Sequence, residues 1–176
     1  MKFDRRWLRF LAIAIAFAGF SQHARAQKPD AQANDQLLES VSVKTDIYPA
    51  NADANQEIQD ALKRAVAEKK RVLLVFGANW CYDCHVLDRA LHEGAAAGIV
   101  RDNYLLVHVN IGEGEKNSDV VKAYRIPLDK GVPAVAILGA DGKLLYSSGV
   151  GEFEAARRMM KKDLVAFLEH WKSAGQ

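Results

Sequence analysis

Cysteine is scarce in this chain: two residues in 176, at positions 81 and 84. A framework of disulfides stapling distant segments is therefore excluded, because a bond across so short a step closes a tiny ring and restricts little of the unfolded chain. Proline is also rare, at four residues, and no internal repeat or biased tract marks a fibrous or disordered chain. No apolar run reaches the roughly 20 residues needed to cross a bilayer. A clustered basic surface of the kind that binds nucleic acid is missing too, since Lys and Arg alternate with acids beyond the first residues.

What is present starts at the N-terminus. Lys2, Arg5, Arg6 and Arg9 precede the apolar run Phe10 to Phe20, and the small-residue stretch Ala24-Arg25-Ala26 follows. This order predicts a secretory signal over residues 1–26; a retained anchor is the alternative, since the two differ mainly in the length of the apolar run. Removing those residues takes away five basic side chains and one acid, leaving 19 basic against 21 acidic residues and a formal charge of −2. The apparent basicity of the whole chain thus belongs to its signal, and a periplasmic or secreted protein is expected. Residues 27–40 are polar without an apolar period and are expected to form a flexible leader, with one domain over 41–176.

Within that domain, alternation at Val41, Val43 and Thr45 predicts a first strand. From Asn55, the positions Ile58, Ala61, Leu62, Ala65 and Val66 follow helical spacing, and Lys69, Lys70 and Arg71 suit the helix C-terminus. Val72–Gly77 is a continuous apolar, β-rich run of the length of a strand buried on both faces. It leads to Cys81 and Cys84, after which Val86, Leu87, Ala90 and Leu91 return to helical spacing. Tyr104–Ile111 reads as a strand, and Asp119–Tyr124 as a short helix. A hairpin follows, with strands in Pro133–Gly139 and Lys143–Ser148 and positive φ expected at Asp141-Gly142. A last helix puts Met160, Leu164, Phe167, Leu168 and Trp171 on one face, as core residues. Alternating strands and helices of this kind imply an α/β fold: a central mixed sheet flanked by helices on both faces, with the hairpin as its antiparallel edge.

The five residues Cys81-Tyr82-Asp83-Cys84-His85 match two chemistries. Cys-x-x-Cys-His attaches a c-type haem, whereas Cys-x-x-Cys alone is a redox pair. A haem carrier needs a second axial ligand in most cases. The candidates His92, His108, His170, Met159 and Met160 all fall in segments with another assignment. Small cytochromes are helical, whereas here a buried strand runs into the motif. Zinc would want four Cys or His ligands, and no second cluster supplies them, so no metal and no cofactor are expected. The redox reading accounts for the surroundings. A cysteine at the first turn of a helix receives unpaired N–H groups and the positive dipole end, which favour thiolate over thiol. Cys84, one turn further in, can then attack a mixed disulfide formed at Cys81.

The segment Val72–Asp88, with its strand, Ala-x-Trp-Cys-x-x-Cys and helix, resembles the active-site segment of the thioredoxin superfamily. Downstream, Gly131–Gly151 resembles that family's cis-proline strand, hairpin and closing glycine loop. The resemblance covers roughly residues 55–172. It implies a thioredoxin fold and a thiol-disulfide oxidoreductase acting on protein disulfides and thiols, with Cys81 as nucleophile and Cys84 as resolving thiol. It also implies that Pro133 is the cis-proline, and that Val132 and Trp80 help to dock an extended substrate. A reducing direction, fed by a membrane electron donor, fits the motif flanks best, and a monomer is expected. The alternatives are a c-type haem electron carrier using Cys-x-x-Cys-His and a thioredoxin-like binding module with incidental cysteines. Two departures stand out. Val75 occupies the place where many cytoplasmic relatives carry a buried acid, and His108 occupies that of a lysine, where it is either a proton-transfer aid or a satisfied strand histidine. Asp83 favours a helix N-terminus yet opposes a nearby thiolate.

Overall fold

The computed structural model describes residues 38–39, 41–43 and 46–172. The expected signal and most of the expected leader lie outside these residues.

Helix α1 (Ala54–Glu68) begins where Asp53, in extended conformation, accepts a hydrogen bond from the Gln56 N–H at 3.0 Å. It stops at Lys69, whose left-handed φ of 54° closes the last turn. The basic cluster expected at this helix end lies just beyond it: Lys70 pairs with Glu68, and Arg71 already opens strand β1 (Arg71–Gly77). Helices α2 (Tyr82–His92) and α3 (Gly94–Asn103) follow, separated at the extended residue Glu93 and at Gly94, whose φ is +58°. Strand β2 (Tyr104–Asn110), helix α4 (Ser118–Ala123), the hairpin strands β3 (Ala134–Leu138) and β4 (Leu144–Ser147), and helix α5 (Lys161–Trp171) complete the order.

The sheet runs β2-β1-β3-β4, with β1 parallel to β2 and antiparallel to β3, so it is mixed as expected. Because side chains alternate along a strand, β1 feeds two cores. Val72, Leu74 and Phe76 pack with Ile58, Ala61 and Ala65 of α1. Leu73 and Val75 pack with Leu87 and Leu91 of α2, Val100 of α3, and Leu164 and Leu168 of α5. All five β1 residues are at most 1% exposed, which explains the unbroken apolar run.

Three local expectations need correction. Residues 41–43 form no strand, and Val43 is 47% exposed; Thr45 lies outside the described residues. Among the described residues, Leu38 is buried against the α2–α5 side with its N–H donating to Met159 O at 3.0 Å. In the hairpin only Gly142 takes positive φ (+79°), with Gly142 N–H bonded to Gly139 O at 2.9 Å. That is a longer connection than a two-residue turn with two left-handed residues. At the last helix, Met160 is the half-buried residue preceding the first turn, and Met159 is the methionine that packs into the core.

Candidate active site

Strand β1 ends at the sheet's rim, and four residues later the chain turns into α2. Cys81 has extended φ/ψ (−81°, 108°), and its sulfur accepts the Cys84 N–H at 3.1 Å, filling the capping position usually held by an oxygen. Cys81 and Cys84 are joined as a disulfide. Their environments differ: Cys81 retains 5% exposure at the surface end, and Cys84 has none. The Val132–Pro133 peptide is cis, and the Val132 carbonyl oxygen lies 3.5 Å from Cys81 Sγ. Trp80 stands beside the pair, 55% exposed, tethered by its indole N–H to Gly112 O at 2.9 Å. Thus all five residues singled out from the sequence, Trp80, Cys81, Cys84, Val132 and Pro133, meet at one end of the sheet.

The charge on Asp83 is matched. The carboxylate, 7% exposed, accepts the Arg157 backbone N–H at 2.8 Å and forms an ion pair with the Arg157 guanidinium. Arg157 lies in a 3-10 turn at Ala156–Arg158, so the loop after β4 is clamped to the start of α2. His85, 4% exposed, donates through Nε2 to Asn79 O at 2.9 Å. This bond seals the His85 ring into the joint between α2 and the loop that precedes it.

Beneath the disulfide sits a residue that the sequence pattern did not single out. Tyr48 is fully buried, in contact with Cys81 and Cys84. Asn79 holds its backbone from both sides: Oδ1 accepts the N–H groups of Ile47 (3.1 Å) and Tyr48 (2.9 Å), and Nδ2 donates to Tyr48 O at 3.0 Å. Asn110, at the end of β2, donates to the same carbonyl at 2.9 Å. The ring of Tyr48 meets that of His108 edge-on at 5.2 Å. His108 in turn brings Nε2 to 2.9 Å from Asp88 Oδ1, off the axis of its N–H, so the contact is electrostatic more than a hydrogen bond. His92 shares the same carboxylate oxygen at 3.3 Å. Burial of Asp88 opposes its ionisation, but the two imidazoles outweigh it and hold the carboxyl well below its ordinary range. The Asp88 contact pushes His92 up to about 9 against the effect of burial. Burial, with help from Asp88, holds the Tyr48 phenol above its ordinary range, so it stays protonated.

A mixed sheet whose central strand delivers a capped, disulfide-bonded Cys-x-x-Cys pair to face a cis-proline defines the thioredoxin class of redox folds. Residues 53–140 match the family described as Thioredoxin-like. A disulphide isomerase from Xylella fastidiosa is 32% identical, with a TM-score of 0.68 over 72% of this chain and 97% of that one. This chain therefore belongs to the thioredoxin-like family. Weaker likenesses include a thioredoxin from Thermus thermophilus (18% identity, TM-score 0.47, 64% of this chain and 81% of that one). Another is the oxidised DsbD C-terminal domain of Neisseria meningitidis (18%, 0.48, 68% and 94%). No curated protein matches this chain.

Proposed function

We propose that this protein is an exported thiol-disulfide oxidoreductase that reduces disulfides in protein substrates. The observation that carries the reading is the asymmetry of the pair: Cys81 caps α2 at the surface, and Cys84 lies one turn below, sealed from solvent. In the reduced protein the free N–H groups and dipole of α2 stabilise a thiolate at Cys81. That thiolate attacks a substrate disulfide, forming a mixed disulfide and releasing one substrate thiolate. Cys84 then attacks Cys81 Sγ, the second substrate sulfur leaves, and the Cys81–Cys84 disulfide is formed. Exposed Trp80 and the Val132–Pro133 edge beside Cys81 give an extended substrate segment an apolar wall and backbone groups to pair with.

Two electrons must then return to the disulfide. A membrane-borne thiol donor would supply them for a protein carried out of the cytoplasm by residues 1–26, acting as a monomer. Among the described residues, no helix is long and apolar enough to cross a membrane. The family resemblance and the likeness to a disulphide isomerase support the reaction class. Dithiothreitol-coupled insulin reduction tests the reading. Wild type is expected to turn over, and Cys81→Ser to be inactive; undiminished turnover by Cys81→Ser would sink the assignment and leave a binding module in its place.

A further inference from the structure

The Tyr48 hydroxyl is fully buried, and among the described residues it has no hydrogen-bond partner. Buried hydroxyls nearly always have one, so its orientation calls for an explanation. A Cβ placed on Gly77 would sit 2.5 Å from Tyr48 Oη and 2.6 Å from Cys84 Sγ. Hydroxyl and sulfur therefore converge on the same small space, left open because residue 77 has no side chain. The placement is built: Asn79 and Asn110 fix the Tyr48 backbone with three hydrogen bonds, Asn79 adds a fourth at the Ile47 N–H, and His108 supports the ring.

We infer that Tyr48 is a catalytic residue of the redox cycle, donating its O–H to the Cys84 thiolate whenever that sulfur is the leaving or attacking group. The inference rests on the redox reading above. In the disulfide, Cys84 Sγ is uncharged and a weak acceptor, so the hydroxyl has nothing to bond. When a donor thiolate attacks Cys81 Sγ, a new sulfur–sulfur bond forms there, the Cys81–Cys84 bond breaks, and its electron pair departs on Cys84. An anionic sulfur is a strong acceptor, and a donor already in place stabilises it without reorganisation. In the reverse sense, the same bond keeps Cys84 ionised for attack on the mixed disulfide, and the electron pair returns to the sulfur–sulfur bond as the substrate thiolate leaves. The phenol keeps its proton throughout. Of the other ionisable groups around this site, His108 meets the Tyr48 ring edge-on and pairs with Asp88, and Asp83 and His85 are engaged by Arg157 and Asn79. Tyr48 is thus the side-chain donor next to Cys84.

Tyr48→Phe removes one oxygen and keeps the ring, so it separates the donor from the packing. Two effects act in one direction: the reduced form loses its donor, and the disulfide form loses an unpaired hydroxyl. Equilibration of the Cys81/Cys84 couple with glutathione is expected to shift about tenfold toward the disulfide in Tyr48→Phe, about 30 mV more negative. In a Cys81→Ser background, thiolate absorbance at 240 nm is expected to show about tenfold less Cys84 thiolate below its midpoint when Tyr48 is also Phe. The disulfide form of Tyr48→Phe should melt no lower than wild type. An unchanged glutathione equilibrium, an unchanged Cys84 titration, or a disulfide form that melts lower overturns the role of Tyr48 and leaves the enzyme assignment standing. A wild-type couple that fails to exchange with glutathione overturns both.

Discussion

The two faces of the sheet differ in what they bury. On the α1 side, Val72, Leu74 and Phe76 meet Ile58, Ala61 and Ala65, and hydrocarbon touches hydrocarbon. On the α2 side the core is also apolar in its middle, but toward the active-site end it takes in Asp83, His85, Asp88 and His108, each with a named partner. Burying such groups costs free energy unless they are paired. One face therefore supplies stability, and the other gives up part of it to hold two sulfurs in a chosen electrostatic setting.

The largest expected effect belongs to the apolar face. Leu74→Ala should lower stability by about 2–5 kcal/mol, the range for truncating a buried leucine. It should do so equally with the disulfide formed or reduced, leaving the glutathione equilibrium alone; denaturant melts in both redox states check this. A shift in that equilibrium would break the division between the faces. Next comes Gly77→Ala, where the added methyl group meets Tyr48 Oη and Cys84 Sγ inside contact distance. Overpacking of this kind costs about 1–3 kcal/mol, and thiol exchange at Cys84 is expected to slow with it.

Of similar size is Arg157→Gln, which leaves the Asp83 carboxylate buried without its cation, at about 1–3 kcal/mol. The unbalanced negative charge should also raise the pKa of the Cys81 thiol, and Asp83→Asn in the same chain should restore it. Absorbance titration at 240 nm measures both, and a double variant no better than the single would refute the electrostatic link.

The smallest effect is a pH dependence. His92 is raised to about 9 in the folded protein. The stability it contributes is therefore complete below the ordinary histidine value of about 6.5 and is lost as pH rises through about 9. Asp88 is shifted the other way, so its share is present at neutral pH and lost only in acid. Melting temperature should fall between pH 6.5 and 9 by a small amount in wild type, and that slope should flatten in Asp88→Asn. Since the His92 side chain is 57% exposed, solvent screening keeps the change small.

Much of this organisation could be read from residue order, because it depends on local periodicity. The run Val72–Gly77, the α1 spacing and the Cys-x-x-Cys pair each carry their meaning within a few residues. The alternation at Val41, Val43 and Thr45 misled because a period of two is also what a short irregular segment can show by chance. What stayed hidden depends on distant partners. Tyr48 is placed by Asn79 and Asn110, 31 and 62 residues away, and Arg157 reaches Asp83 across 74 residues. Asn79 offered the one local hint: an amide just before the Trp-Cys pair can satisfy the backbone of a neighbouring strand of chain on both sides.

The account turns on Cys81 being the sulfur that meets substrate and Cys84 the one that releases it. Mass spectrometry of Cys84→Ser after reaction with a disulfide-bonded protein tests this directly. A stable mixed disulfide on Cys81 is expected, with little or no adduct on Cys84 in the Cys81→Ser protein. Equal capture by Cys84 in Cys81→Ser would contradict it.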